Sequence, residues 1–367
     1  MRRIYLDYNA TCPIRPAAID AAAAVMREVG NASSIHGHGR AARKHVEDAR
    51  TQVANLAGVR PAQVIFNSGA TEGNNTILSG YRDQMVFVSA IEHPSVLESA
   101  PHAKQIPVTK DGIIDLAALE KMLAEHTPAL VSVQYVNSET GVIQPVAEAA
   151  ALVKSCGAKL HCDAVQAAGR IALDFAATGA DYMTLSGHKF GAPQGAGAVI
   201  FREGLQMPKY MHGGGQEKRQ RAGTENVAAI AGFGVAADLA AQELPAYREL
   251  CLSFRRVLEE GLRACASDIV IIGEHADRVT NTTDVILPGV SAETQMMAMD
   301  LEGIAASSGS ACSSGTFKPS HVLAAMGYGE DAARSALRFS TGWATTIADI
   351  EDTVAAYGRM VARVRKN

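Results

Sequence analysis

The chain has 367 residues, of which 47% are hydrophobic and 20% are charged, and its formal net charge is −4. A chain of this size can bury a large core in more than one domain, because domains usually contain ~100–200 residues. The near-neutral balance excludes the clustered basic surface that a nucleic-acid-binding protein needs, so no nucleic-acid partner is expected.

Helices and strands alternate along the first two thirds of the chain. The N-terminus carries two arginines but no apolar run, so it is not expected to be a signal peptide. Pro16 begins an alanine-rich helix that Gly30 ends, and a second helix is predicted over residues 40–56. Further strands are predicted at 64–67, 85–89, 130–136, 160–163, 182–185 and 198–201, with helices at 116–125 and 145–155. Apolar strands interleaved with helices predict a mostly parallel sheet that is covered on both faces.

The pattern changes after about residue 226. A long helix is predicted over residues 228–264; its apolar run ends at Asp238, well short of the ~20 residues that a membrane span requires. Strands near 269–272, 283–287, 304 and 337–339, a helix near 293–301 and a C-terminal amphipathic helix from 347 indicate a smaller α+β domain. We expect a large domain over residues 14–245 and a small domain formed by residues 1–13 and 246–367.

The first candidate motif, NSGATE at residues 67–72, lies where a strand meets a helix. Free backbone N–H groups and the positive end of the helix dipole favour a phosphate there. A Ser or Thr before a helix is also a common N-cap, so the motif alone does not establish a phosphate site.

The second motif, SGHKFG at residues 186–191, follows an apolar strand and is succeeded by further glycines. A lysine that ends a buried strand is partly desolvated, which lowers the pKa of its amine and makes the amine a competent nucleophile for a carbonyl. Lys189 is therefore a candidate Schiff-base lysine, with an ordinary surface lysine as the alternative.

The third motif, HCDAVQ at residues 161–166, places Asp163 at the end of another strand of the same sheet. A carboxylate at that edge could keep a pyridine nitrogen protonated and make the ring an electron sink. Asn137 ends a further strand in the same way, and ligands of open α/β sheets gather at such strand ends. For each residue, a plain capping role is the alternative.

The fourth motif, SSGSACSSG at residues 307–315, surrounds one thiol with small residues. Such a loop is expected to be mobile and to expose Cys312 as a reactive cysteine requires. The other five cysteines have no spacing typical of disulfides and are expected to be reduced packing residues. Cys156 and Cys162, with the adjacent His161, offer a weak alternative as metal ligands, but no second pair follows them.

Taken together and in this order, the motifs resemble the cysteine desulfurases of the NifS/IscS type. The resemblance runs from YLDYNAT at residues 5–11 to LRFS at 337–340, and it includes KPSHVL at 318–323, just after the cysteine loop. It implies a class V aminotransferase-like, pyridoxal-phosphate fold type I enzyme. Its large domain would contain a mostly parallel seven-stranded sheet covered by helices, beside a smaller α+β domain that carries the cysteine loop.

The resemblance also implies a role for each site residue. Lys189 would bind pyridoxal 5′-phosphate covalently, Asp163 would pair with its ring nitrogen, and His93 would stack on the ring and act in catalysis. Arg338, with Asn137, would bind the substrate carboxylate, and Cys312 would accept the sulfur. Asn137 and Gln166 would bind the phenolic oxygen; the phosphate would be held by Ala70, Thr71, Ser186, His188 and, from the other subunit of a homodimer, Thr224.

The implied reaction is removal of sulfur from L-cysteine, giving L-alanine and a persulfide on Cys312. The sulfur would pass to an acceptor protein, such as an iron–sulfur cluster scaffold, or to another thiol. A cytoplasmic homodimeric transferase is expected, without a membrane or a resident metal; transient cluster ligation by Cys312 during transfer is the one metal contact left open.

Two features depart from the pattern. Trp343 stands where many relatives carry Arg, and only 29 residues follow Arg338, a shorter tail than in scaffold-binding relatives. Three alternatives stay open at this point: a selenocysteine lyase, an aminotransferase, and a sulfur-relay protein without catalysis. A nicotinamide dehydrogenase fits poorly, since no Gly-x-Gly-x-x-Gly opens the first βα unit.

Overall fold

The computed structural model describes residues 3–309 and 319–365. Its strands are β1 (Ile4–Tyr5), β2 (Val64–Asn67), β3 (Val86–Ser89), β4 (Lys104–Ile106), β5 (Leu130–Ser132), β6 (Lys159–Asp163), β7 (Tyr182–Ser186), β8 (Gly197–Phe201), β9 (Val270–Ile271), β10 (Thr282–Ile286), β11 (Ile304–Ala305) and β12 (Ala336–Ser340). Its helices are α1 (Pro16–Met26), α2 (Gly37–Leu56), α3 (Ala70–Ser79), α4 (Pro94–Leu97), α5 (Leu116–Glu125), α6 (Val146–Ser155), α7 (Phe175–Thr178), α8 (Val227–Cys265), α9 (Ala292–Leu301), α10 (His321–Ala325), α11 (Glu330–Arg334) and α12 (Ile347–Val364).

The largest sheet has seven strands in the order β2-β8-β7-β6-β5-β3-β4. All the strands from β7 to β4 are parallel, whereas β8 runs antiparallel to both of its neighbours. The four residues of β2 and the five of β7 are all buried, as expected for strands that helices cover on both faces. The prediction of a mostly parallel, seven-stranded α/β fold is confirmed.

Most predicted elements are present, and the differences have local causes. The predicted strand over 130–136 is too long, because the Gln134 N–H donates to the Glu92 carboxylate instead of continuing the ladder. Strand β4 was not predicted, because two of its three residues are exposed and polar. Helix α1 begins at Pro16 but ends at Met26, before Gly30.

The second part of the chain forms its own sheet and core. Strands β12, β10 and β9 form an antiparallel sheet, and β1 pairs in parallel with β11, so that the first residues of the chain join this unit. Phe339 and Tyr357 pack edge to face at a centroid distance of 6.2 Å in this core. The predicted domain limits remain a prediction, although this second core agrees with them.

Helix α8 connects the two cores. Phe233, in its first half, packs in the core of the large sheet, and Phe254 and Leu258, in its second half, pack in the smaller core. Its 39 residues are long and apolar enough to cross a membrane, but half of its most apolar window is buried inside the protein. This burial identifies α8 as a core helix.

A buried ion pair holds residues 217–219 against the large sheet. Arg50 makes two hydrogen bonds of 2.8 Å to the Glu217 carboxylate, which also accepts the N–H of Phe66 at 2.8 Å. The Arg50 and Glu217 side chains are only 3% and 2% exposed. Glu217 and the two residues after it have positive φ angles, from 43° to 65°, which non-glycine residues adopt only when their surroundings enforce it.

Replacing Glu217 with Ala should therefore lower the free energy of unfolding by ~3–5 kcal/mol, because Arg50 would keep a buried, unpaired charge. Glu203→Ala removes a carboxylate that pairs with Arg60 on the surface, and it should cost at most ~1 kcal/mol. Urea unfolding of both variants measures the difference. Equal losses would contradict the structural role of the buried pair.

Candidate functional site

A cavity of about 770 Å³ opens at the carboxyl ends of β6 and β7. Strand ends are where open α/β sheets usually bind ligands. Nine residues singled out from the sequence line it: Ala70, Thr71, His93, Asp163, Gln166, Ser186, His188, Lys189 and Arg338. The first eight come from the large-sheet unit and Arg338 comes from β12 of the small sheet, so the cavity lies between the two units.

The first turn of α3 provides an anion-binding end to the cavity. Gly69, which precedes the helix, has φ of 150°, a conformation essentially restricted to glycine, and it offers no side chain to cap the helix. The N–H groups of Ala70 and Thr71 have no intrahelical acceptor at this position. Ser186 and His188 line the same cavity. Burial and nearby cations lower the pKa of His188 to about 4, so its ring is neutral at pH 7.

Lys189 follows β7 through the short turn Gly187–Lys189. Its Nζ atom donates to the main-chain oxygens of Asn9 and Ala10, at 2.7 and 2.9 Å. Burial, followed by the positive charges of Arg170 and Arg338, lowers the pKa of Lys189 to about 7. The predicted desolvated lysine is therefore present, with a substantial neutral fraction at physiological pH.

Asp163 ends β6 with its carboxylate in the cavity wall. One carboxylate oxygen accepts the N–H of Val165 at 3.0 Å, and the other accepts Asn74 Nδ2 at 2.8 Å. Two hydrogen-bond donors stabilise the ionised carboxylate. An anionic group in this position can pair with a protonated ring nitrogen.

Arg338 brings a positive charge from the small sheet. It donates to the Ser138 main-chain oxygen at 3.0 Å and to the Asp7 carboxylate at 2.7 Å. Its Nε atom is buried and has no acceptor among residues 3–309 and 319–365. The guanidinium is thus fixed in direction and keeps one unused donor, as a carboxylate-binding arginine requires.

The segment of residues 7–11 ties these groups together. Asp7 pairs with Arg338, while the main chain at Asn9 and Ala10 holds the Lys189 amine. The Asn9 side chain donates to Thr282 Oγ1 of the small sheet at 2.9 Å. We call residues 7–11 the N-terminal strap, because they contact both halves of the cavity.

Buried acids lie behind the arginine. Burial raises the pKa of Glu139 and raises that of Asp284, which faces Arg338 across β10 and β12, to about 8. Burial also raises the pKa of Glu92 well above its usual range. Asp7 is the carboxylate that forms an ion pair with Arg338, at 2.7 Å.

Three predicted site residues, Asn137, Thr224 and Cys312, are not among the described residues that line the cavity. The Asn137 side chain holds its own turn: its Oδ1 accepts the N–H groups of Glu139 and Thr140, both at 2.9 Å. Thr224 is exposed and lies outside the lining of its own chain's cavity. Cys312 lies outside the described residues. The roles proposed for these three remain predictions.

Sequence reasoning missed several residues of the site. Asn74, Ser95 and Arg170 were not singled out, and Asn9 and His321 appeared only inside longer motifs. His321 lines the cavity and donates from Nε2 to the Glu92 main-chain oxygen at 2.9 Å. Spacing gives no signal for Asn74 or Ser95, because each is recognised only by contacts with distant residues.

Trp343 has a local structural role. Its indole N–H donates to the Pro13 main-chain oxygen at 3.1 Å, and the Arg15 guanidinium lies 5.7 Å from the centre of its ring. It does not line the cavity. The departure at this position therefore affects how the N-terminal residues are anchored.

The donor set fits a phosphorylated aromatic aldehyde with a basic ring nitrogen. The uncapped helix end suits a phosphate, Asp163 suits the ring nitrogen, and the Lys189 amine suits the carbonyl. Gln166 Oε1 is also buried without a partner among the described residues, so this wall has hydrogen-bonding capacity left for a ligand.

Comparison with known proteins agrees with this chemistry. The chain matches the aminotransferase class-V family over residues 4–352. It is 38% identical to an IscS-like cysteine desulfurase of Mycobacterium tuberculosis, covering 99% of this chain and 97% of the relative. It is 35% identical to the cysteine desulfurase IscS of Dictyoglomus turgidum, covering 99% and 96%. A NifS-like protein from Rickettsia africae superposes with a TM-score of 0.92 at 37% identity, covering 98% of this chain and 99% of that one.

Lys189 should react with a limiting amine-acylating reagent near neutral pH in the cofactor-free chain. Because its pKa is about 7, roughly half of the Lys189 amines are in the reactive neutral form at neutral pH. An ordinary lysine has a pKa of ~10.4 and is almost fully protonated there. Peptide mapping by mass spectrometry across pH 5–10 would follow the labelling. Lys189→Arg identifies the signal by removing it. A labelling midpoint near that of ordinary lysines would contradict the electrostatic analysis.

Proposed function

The chain belongs to the class-V aminotransferase family, and on that premise we propose that it is a pyridoxal-phosphate-dependent cysteine desulfurase. The observation that carries the proposal is the cavity that joins the low-pKa Lys189, the Asp163 carboxylate and the Arg338 guanidinium. Gly309 and Pro319, which flank the segment that contains Cys312, line the same cavity. Full-length identity of 35–38% to proteins named cysteine desulfurases supports the substrate assignment.

The chain's residues would hold the cofactor at three points. The start of α3, with Ser186 and His188, would bind the phosphate; Asp163 would bind the ring nitrogen; Lys189 would bind the aldehyde carbon. Gln166, and Asn137 after a change of its side-chain contacts, would bind the phenolic oxygen, while His93 would cover the ring. When bound, pyridoxal phosphate acts as an electron sink, which withdraws electrons from the substrate and weakens the bonds at its carbon atoms.

Arg338 would orient the substrate. Its fixed guanidinium can bind the carboxylate of L-cysteine with paired hydrogen bonds, which lysine could not reproduce. Lys189, once free of the cofactor, would provide an amine that can move a proton at the substrate's α-carbon.

Cys312 would complete the reaction as a thiolate. It forms a bond to the sulfur of the substrate as the carbon–sulfur bond breaks, and the electron pair of that bond stays with the carbon skeleton. L-cysteine and one protein thiol thus become L-alanine and one protein persulfide, with no external oxidant. The outer sulfur can then pass to another thiol by exchange.

We infer that the enzyme is a homodimer. Thr224 is exposed, and it lies three residues after Arg221, whose guanidinium binds Glu72 in the first turn of α3 at 2.8 Å. Arg221 thus lies beside the phosphate end of its own chain's cavity, while Thr224 is exposed and available to a partner subunit. Ile35 and Val29, between α1 and α2, are 91% and 75% exposed, which is typical of an apolar surface that a second subunit covers.

The sulfur acceptor is proposed to be a protein thiol, with iron–sulfur cluster assembly as the destination that the IscS-type relatives favour. Cytoplasmic location is part of the proposal. The five cysteines within residues 3–309 and 319–365 are all free, as expected in a reducing compartment. No part of the proposal requires a resident metal.

Two variants test the chemistry. Lys189→Ala should abolish fixation of the cofactor to the protein by borohydride, because no amine remains at the aldehyde. Cys312→Ser should keep the yellow cofactor and still bind cysteine, but it should release almost no sulfide, since a hydroxyl is a poor nucleophile towards sulfur. Alanine release and intact-protein mass after incubation with cysteine give the readouts.

Cys156→Ser is the matched control, because Cys156 is a half-buried free thiol outside the cavity. It should leave alanine release and the persulfide mass unchanged. A persulfide on any other cysteine, or borohydride fixation in Lys189→Ala, would overturn the corresponding assignment. Cysteine-independent transamination would favour an aminotransferase.

Sedimentation should give a mass of twice 38.6 kDa for the holoenzyme. Ile35→Glu should weaken the dimer, because a charge would be buried at the interface. Lys44→Glu, which changes an exposed residue of α2, serves as the control. A fully active monomer at low protein concentration would contradict the contribution of Thr224 from the partner subunit.

A further inference from the structure

A chain of hydrogen bonds connects Asp163 with His93 through two residues that line no part of the cavity. Asn74, on α3, donates from Nδ2 to Asp163 Oδ2 at 2.8 Å and to Ser95 Oγ at 2.9 Å. Ser95 Oγ lies 2.8 Å from His93 Nδ1, and the Ser95 backbone N–H donates to the same nitrogen at 3.0 Å. Asn74 and Ser95 are both buried.

The charge of Asp163 determines which atoms donate and which accept in these hydrogen bonds. An ionised carboxylate only accepts hydrogen bonds, so the Asn74 amide must turn its nitrogen, and not its oxygen, towards Asp163. The consequence is visible at Asn74 Oδ1, which is buried and has no donor among the described residues. A buried, unsatisfied amide oxygen is costly, and it is explained if the orientation of the amide serves the site.

The direction is passed on to the histidine. Because Asn74 donates to Ser95 Oγ, the serine proton is free for His93 Nδ1, which is the other described partner of that oxygen. Two donors, the hydroxyl and the backbone N–H, then face Nδ1, which must be unprotonated to accept them. The proton of the neutral ring is therefore on Nε2, and Nε2 has no partner within the described part of the chain while the ring lines the cavity.

We propose that Asn74 and Ser95 are positioning residues: they carry the hydrogen-bond direction set by Asp163 to His93 and hold its ring as the neutral Nε2–H tautomer. His93 then begins the reaction as a hydrogen-bond donor into the cavity, and not as a base. The inference rests on the proposed function only for the identity of the group that this N–H meets.

The charges around His93 agree with a neutral ring. Burial is the main cause that lowers its pKa; Lys189 and His321 add to the effect, and Asp163 and Glu98 oppose it. Protonation would have to occur at Nδ1, where two donors already point. Removing the Ser95 hydroxyl should therefore make protonation of His93 easier.

Nitrogen-15 NMR of histidine-labelled protein tests the proposal in the holoenzyme and after removal of the cofactor. The His93 signals are assigned as those missing from His93→Gln. In the unaltered protein, the neutral ring should carry its proton on Nε2. Ser95→Ala and Asn74→Ala should each raise the titration midpoint of His93 and reduce the Nε2–H fraction.

Two variants make the comparison specific. Ser95→Thr retains the hydroxyl and should behave as the unaltered protein. Ser99→Ala removes a hydroxyl that donates to the Ser95 main-chain oxygen at 2.6 Å, on the same stretch of chain, and should change neither the tautomer nor the midpoint.

A proton on Nδ1 in the unaltered protein would overturn the proposal without reference to any variant. An unchanged His93 titration in both Ser95→Ala and Asn74→Ala would overturn it as well. Alanine release is measured on the same samples. If the unaltered protein released none from cysteine while His93 stayed in the Nε2–H form, the desulfurase function would fail and the positioning role would stand.

Discussion

The site depends on keeping one amine neutral among fixed positive charges. Lys189 lies near two buried guanidinium groups, those of Arg170 and Arg338, and their field adds to the desolvation of the amine. Each arginine also makes structural hydrogen bonds. Arg170 donates to the Gln166 main-chain oxygen and to Asn9 Oδ1, and Arg338 donates to the Asp7 carboxylate. The same two arginines therefore lower the pKa of the Lys189 amine and hold the walls of the cavity in place.

The acidic groups of the site show the same dependence on burial and hydrogen bonding. The Asp163 carboxylate accepts hydrogen bonds from Val165 and Asn74, while burial raises the pKa values of Glu92 and Glu139. Carboxyl groups of the same chemistry thus differ in their protonation equilibria, because they differ in hydrogen-bond donors and in solvation.

The positions of Lys189 and Asp163 in the site could be predicted, because the sequence indicates where strands end. Lys189 follows a strand that is mostly apolar and Asp163 ends a short strand, and parallel strands bring such ends to one edge. Contacts between distant segments could not be predicted. Asn74 looks like an ordinary helix residue until Asp163 and Ser95 are placed beside it, and Asn137 ends a predicted strand yet turns its side chain into its own loop. Polar residues carry no periodic signal that identifies their partners.

The N-terminal strap has a consequence for biosynthesis. The first residues of the chain leave the ribosome early, but Ile4 pairs with Ile304 and Asp7 pairs with Arg338, which are made more than 290 residues later. Until then the carbonyls of Asn9 and Ala10 have no fixed position from which to hold the lysine, and Arg338, one of the two arginines that lower the pKa of Lys189, has not been made. Contacts of such long range form late in folding. A nascent chain can thus complete its large sheet before the wall of the cavity that contains Arg338 exists, and we expect the site to be complete only after the small unit has been synthesised.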